Sequence, residues 1–166
     1  MSSPVILTRA PGDNRALAAA LRAGGHEVVD LPCVTTVPLD DERELAGALA
    51  QLGDADRLIV SSQAGALAVL GALAGPPTSP VATVGRRAAE VLRAGGVAVD
   101  LVSATGAELA AALPLPAGTV LLARSDRALP DLPALLRARG AVVREVVAYR
   151  TVARVDGDAA RANELL

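Results

Sequence analysis

The sequence predicts an α/β fold in which a parallel sheet lies buried between layers of helix. Three observations carry that expectation. Short apolar runs rich in Val, Ile and Leu alternate with Ala/Leu/Arg segments of helical period. Hydrophobic residues make up 52% of the 166-residue chain, yet Phe and Trp are absent and Tyr149 is the one aromatic, so the core must be Leu, Val, Ile and Ala. A helix-ending motif also recurs three times, each time followed at once by a strand-like run.

That motif reads Leu21-Arg22-Ala23-Gly24-Gly25, Leu92-Arg93-Ala94-Gly95-Gly96 and Leu136-Arg137-Ala138-Arg139-Gly140. Glycine just past a helix takes left-handed dihedrals at little cost, and a tight helix-to-strand connection builds parallel sheets with right-handed crossovers. The repeat identifies architecture, not function. Along the chain, strands are expected at 5–8, 27–30, 57–61, 81–84, 98–102, 119–123 and 142–147. Helices are expected at 14–23, 41–52, 64–74, 86–94, 107–113, 132–138 and 158–166. Residues 31–38, with two prolines and no helical period, read as a connector, and the polar stretch 150–158 reads as a second one. The run Pro76-Pro77-Thr78-Ser79-Pro80 reads as a stiff loop inside the unit between them.

Composition excludes several classes. The net charge is −2, which argues against a basic nucleic-acid surface. Lys is absent, so every basic side chain apart from His26 is Arg, and single Arg and Ala residues carry little weight in so biased a composition. Cys33 is the one cysteine, which rules out an internal disulfide or a cysteine metal cluster and fits a reducing cytoplasm. The N-terminus lacks the pattern of a signal peptide, and no apolar run is long enough to span a membrane. P-loop and dinucleotide-binding glycine patterns are absent. His26 reads as a solvated turn residue and Cys33 as a structural thiol.

Ligands of open parallel sheets bind beyond the carboxyl ends of the strands. Reading those ends gives Thr8-Arg9, Ser61-Ser62-Gln63, Gly85-Arg86-Arg87, Thr105-Gly106, Arg124-Ser125-Asp126 and Tyr149-Arg150-Thr151. An acidic chain that gathers Arg, Ser and Gly there suits an anionic ligand, because helix N-termini offer free amides and Arg offers a forked donor. Ser62, Thr105 and Asp126 could equally be helix caps. Tyr149 stands apart, since a phenol keeps its proton at neutral pH and can donate a hydrogen bond.

An ordered set of segments resembles the uroporphyrinogen-III synthase family. Val5-Ile6-Leu7-Thr8-Arg9 with Gly24-Gly25-His26-Glu27-Val28-Val29 is similar to the family's opening. Leu58-Ile59-Val60-Ser61-Ser62, Val84-Gly85 with Ala88-Ala89, and Ala104-Thr105-Gly106-Ala107-Glu108-Leu109 resemble its central segments. Leu121-Leu122-Ala123-Arg124-Ser125-Asp126-Arg127-Ala128 and Val146-Val147-Ala148-Tyr149-Arg150-Thr151 resemble its later ones, the last carrying the family's mechanistic Tyr. Ala88 stands where the family often has Thr, Ser125 where it often has Gly, and Ala10 where Pro often follows the Arg.

The resemblance implies a flavodoxin-like lobe with helices on both faces, complete over 34–148, plus an incomplete second α/β lobe made of 1–33 and 149–166. It implies cyclisation of hydroxymethylbilane to uroporphyrinogen III with inversion of ring D, without metal or cofactor, in a cytoplasmic enzyme that is a monomer when full length. Tyr149 would be catalytic. Arg9, Ser62, Gln63, Gly85, Arg86, Thr105, Arg124 and Ser125 would bind substrate. Because the family's cleft lies between lobes and one lobe is short here, the chain by itself is expected to be inactive or weakly active. The alternative is a non-catalytic anion-binding or regulatory domain of the same fold.

Overall fold

The computed structural model describes residues 4–154. The helix expected over 158–166 lies outside the described residues. The chain forms two units, Met1–Val37 with Thr151–Leu166, and Pro38–Arg150.

In the first unit, β1 (Val5–Leu7) and β2 (Val28–Asp30) pair in parallel, Val5 opposite Val28 and Leu7 opposite Asp30, with α1 (Arg15–Ala23) between them in sequence. Ala18 of α1 and Leu7 of β1 are buried. Asn14, 1% exposed, donates to the Asp30 carboxylate at 2.9 Å and so ties the start of α1 to the end of β2. β3 (Val34–Val37) also belongs to this unit.

The second unit follows as α2 (Arg43–Ala50), β4 (Arg57–Val60), α3 (Gln63–Ala72), β5 (Val81–Val84), α4 (Arg86–Ala94), β6 (Leu101–Ser103), α5 (Gly106–Ala112), β7 (Thr119–Ser125), α6 (Asp131–Ala138) and β8 (Val142–Ala153), whose residues from Thr151 on count with the first unit. The sheet order is β3-β8-β7-β4-β5-β6, and the β8/β7, β7/β4, β4/β5 and β5/β6 pairs are all parallel. The expected mixed α/β architecture with its mostly parallel sheet is therefore what the chain adopts.

Helices cover both faces of this sheet, which is why its central strands are apolar at nearly every position. On one face Leu58, Val60, Leu121 and Ala123 pack with Leu45 and Leu49 of α2, Ala66 and Val69 of α3, and Leu92 of α4. On the other, Ile59, Val120 and Leu122 pack with Leu109 and Leu113 around α5 and Leu136 of α6. Strand alternation sends neighbouring residues of β4 into different cores, so neither Leu58 nor Ile59 is exposed.

The three repeated motifs become three copies of one device. Gly25, Gly96 and Gly140 have φ of 82°, 82° and 93°. In each copy the glycine amide bonds back to the Arg carbonyl (Gly25 to Arg22, Gly96 to Arg93, Gly140 to Arg137), and the next amide bonds to the Leu carbonyl (His26 to Leu21, Val97 to Leu92, Ala141 to Leu136). These are the paired bonds of a Schellman ending. The repeated Arg then donates to a carbonyl six residues on: Arg22 to Val28, Arg93 to Val99 and Arg137 to Val143. Each guanidinium thus clasps the chain that leaves its own helix.

Two connectors expected from the sequence are not simple loops. Residues 34–37 form β3, and β8 continues through Ala153, where residues 150–158 had been expected to be a connector. Backbone pairing between two chain segments overrides their local polarity. The strand expected at 98–102 instead starts at Leu101, after Asp100 has bonded its amide to the Val81 carbonyl.

At the amino ends of the strands the polar groups pair with one another. Arg57, 7% exposed, meets Asp100 at 2.9 Å. The Asp56 carboxylate accepts from the amides of Gly53 (2.9 Å) and Thr119 (2.6 Å), and these two bonds hold its pKa below the ordinary value.

Candidate functional site

Because the strands of the second unit run parallel, all their carboxyl ends lie along one edge. The sheet thereby brings Ser62 and Gln63 (after β4), Gly85 and Arg86 (after β5), Thr105 (after β6), Ser125 (end of β7) and Tyr149 (in β8) to that edge. Arg9 follows β1 in the first unit and is exposed.

The local chemistry of each end differs. Ser62 is the N-cap of α3, its hydroxyl accepting from the Gly65 amide at 3.0 Å. Thr105 caps α5 through the Glu108 amide at 3.1 Å, and Glu108 reaches back to the Ala104 amide at 3.0 Å. These two hydroxyls are thus occupied as acceptors but retain their own protons as donors. Gly85 begins α4 with φ of 83° and offers no side-chain cap. Its first turn holds Arg86 and Arg87, both exposed, and no acid. The amides of such a helix start suit an anion. Asp126 is not a helix cap. α6 starts after Pro130 with Asp131 in its first turn, and Asp126 instead accepts from the Ser125 hydroxyl at 3.0 Å.

Arg124 is buried, at 7% exposure. It meets Glu145 at 2.7 Å and also donates to the Leu129 carbonyl. Arg137 bonds the other oxygen of Glu145 at 2.9 Å. Glu145 did not stand out in the sequence. Its signal was available only through register, which puts β8 beside β7 and lets a strand carboxylate reach the end of its neighbour.

Tyr149 is half-buried and packs at the margin of the core formed with α2, α3 and α4. Register along β7/β8 pairs Arg124 with Val147 but Ser125 with Tyr149, so β8 carries an extra residue there. Such bulges re-aim a side chain. Ala148 and Tyr149 both pack on that core, where unbroken alternation would send them to opposite faces. The Tyr149 carbonyl accepts the Asp126 amide at 3.2 Å.

A pocket of about 280 Å³ opens at this edge. Val84 and Leu122 come to it from the strands, Ser61 from just after β4, Gly106 and Ala107 from the start of α5, and Leu129, Leu132 and Leu135 from the loop and helix after β7. Arg124 and Asp131 are its charged lining residues. A smaller cavity of about 170 Å³ lies beside it, between Arg124–Asp126 and Glu145–Val147. The walls are mostly apolar, and Ser61, Arg124 and Asp131 are the polar side chains of the lining. Such a lining suits a ligand with an apolar body. Cys33 and His26 are exposed and belong to the first unit. Among the described residues no helix is long and apolar enough to cross a membrane.

Comparison with known proteins bears on this geometry. The family model described as Uroporphyrinogen-III synthase HemD matches residues 15–166. A curated uroporphyrinogen-III synthase from Synechococcus elongatus is 30% identical over 158 residues, covering 89% of this chain and 60% of that protein. Among solved structures, a mutant uroporphyrinogen III synthase from the extremely thermophilic bacterium Thermus thermophilus superposes with a TM-score of 0.69 at 22% identity, covering 92% of this chain and 64% of that one. The uroporphyrinogen-III synthetase of Helicobacter pylori gives 0.54 at 15% identity, covering 99% and 68%. At those identities the structures speak for the fold. The chain spans about three fifths of the length of the curated relative it matches.

Proposed function

The chain belongs to the uroporphyrinogen-III synthase family, and on that premise we propose that its second unit carries the substrate-binding edge of such an enzyme. The reaction is closure of hydroxymethylbilane to uroporphyrinogen III with inversion of ring D, in the cytoplasm. The second unit, Pro38–Arg150, serves as the complete lobe, and the first unit as part of the other. The observation that carries this reading is the gathering of Ser62, Gly85, Thr105, Ser125 and Tyr149 along one edge of a single parallel sheet.

The chemistry asks for positioning more than for strong catalysis. The bilane loses its terminal hydroxyl readily, and the resulting azafulvene closes unaided to the uninverted isomer. To make type III the protein must favour attack through the substituted carbon of ring D, by way of a spiro intermediate. That is a restriction of conformation. Tyr149 donates a hydrogen bond to the departing hydroxyl. The carboxylate arms engage the free amides at the start of α4 beside Gly85, the Arg86 guanidinium, the hydroxyls of Ser62 and Thr105, and the Gln63 amide. No step calls for a redox group or a metal.

The test is to incubate the chain with hydroxymethylbilane, oxidise the products and separate the type I and type III isomers by chromatography. Slow but type III-selective closure is expected, falling on the order of 100-fold in Tyr149→Phe, the lower end for loss of a proton donor. Type I product alone, unchanged by Tyr149→Phe, would sink the enzymatic reading and leave a non-catalytic anion-binding domain.

A further inference from the structure

The loop between β7 and α6 forms one wall of the pocket through Leu129, and it is tied down at both ends. At its start the Asp126 amide bonds the Tyr149 carbonyl at 3.2 Å, and the Ser125 carbonyl and hydroxyl take the amides of Ala128 and Arg127. At its far end the Leu129 carbonyl takes the Arg124 guanidinium. The Leu129 side chain is 73% exposed and lines the pocket. Arg124 itself is buried, and Glu145 fixes its orientation at 2.7 Å.

We propose that Arg124 and Glu145 are positioning residues: they clamp the β7–α6 loop, and with it the pocket wall and the backbone of Tyr149, in the geometry that selects one closure product. The inference rests on the functional reading above and deepens it. A buried guanidinium whose donors already meet a carboxylate and a carbonyl has little left for a substrate arm. What it supplies is rigidity, because a forked, charge-assisted donor defines two directions at once. Lys at this position would keep the charge but could not bond Glu145 and the Leu129 carbonyl from one planar group. Arg137 holds the second oxygen of Glu145, so the carboxylate stays in place when Arg124 alone is changed. The register shift sits at the same point, between Arg124 and Ser125, which makes the loop's starting direction depend on local geometry rather than on continued ladder pairing.

The experiment compares the full chain with Arg124→Lys and Glu145→Gln, by hydrogen exchange and by isomer analysis. In both variants the Asp126 and Ala128 amides should exchange at least about tenfold faster, while Ile59 and Leu122 in the sheet stay within about twofold of the parent chain. With hydroxymethylbilane, the type III to type I ratio should fall in both by about fivefold or more, with KM held within about twofold, because the loss is of transition-state positioning. Loop exchange that stays at the parent rate in Glu145→Gln overturns the proposal. So does a uniform rise across the whole chain, which would make the pair merely stabilising. A rise in KM confined to Arg124→Lys would make Arg124 a direct ligand and also overturns it. If the parent chain shows no isomer preference, the functional reading fails, and loop exchange alone decides the clamp.

Discussion

Leu58→Ala and Leu122→Ala make the same chemical change on adjacent strands, and the structure assigns them different costs. Leu58 is 0% exposed and sits inside the core shared by α2, α3 and α4. Leu122, opposite Ile59 in the β4/β7 register, is 2% exposed but also lines the 280 Å³ pocket. Removing three carbons forfeits about 0.8 kcal/mol each, or about 2.4 kcal/mol of transfer free energy at either site. At Leu58 the space left is sealed. A void of about 80 Å³ at about 24 cal/mol per Å³ adds about 2 kcal/mol, so Leu58→Ala should cost about 4 kcal/mol. At Leu122 the space merges with a pocket open to solvent, so the cavity term largely disappears and the cost should stay near about 2.5 kcal/mol. Urea unfolding followed by circular dichroism reads the difference. With a slope of about 2 kcal/mol per molar, the two midpoints should stand about 0.8 M apart, Leu58→Ala the lower. Leu122→Ala costing as much as Leu58→Ala at equal slope would refute an open pocket at this edge.

Two further outcomes follow from caps and charges. Ser62→Ala removes the acceptor for the Gly65 amide and should destabilise the chain by about 1 kcal/mol in the same urea assay, and a loss indistinguishable from zero would mean that the bond is not formed in solution. Asp56→Asn tests pH dependence. The Gly53 and Thr119 amides lower the folded-state pKa of Asp56 below its unfolded value, so its stabilisation is fully present above the ordinary carboxylate range and is lost as pH falls through the folded value. The gap in urea midpoint between parent and variant should therefore be level from about pH 6 to 8 and close below about pH 4, and a gap that widens on acidification would contradict the assignment.

Much of the architecture was legible in the sequence because the sheet is covered on both faces. A doubly buried strand must be apolar at nearly every position, and its helices must end sharply to turn back. Both demands write themselves into local composition. The helix over Arg86–Ala94 and the strand over Val81–Val84 were therefore readable to the residue. The repeated Leu-Arg-Ala motif was legible as a helix ending, but the role of its Arg was not. In a chain whose side-chain cations are Arg apart from His26, Arg22, Arg93 and Arg137 looked like compositional background, and only the fold shows each of them holding the carbonyl six residues on.

By itself the sequence determined the strand–helix alternation, the residues at the strand ends and the family. The tertiary structure alone decided which of those ends share an edge, that β3 and the end of β8 are strands, and that Ala148 and Tyr149 face the same core. It alone decided that Arg124 is buried against Glu145 and the Leu129 carbonyl. The physical reason is range. Periodicity, caps and turns are set by residues within a few positions of one another, whereas register, burial of a charge and the walls of a pocket depend on segments brought together only when the sheet forms.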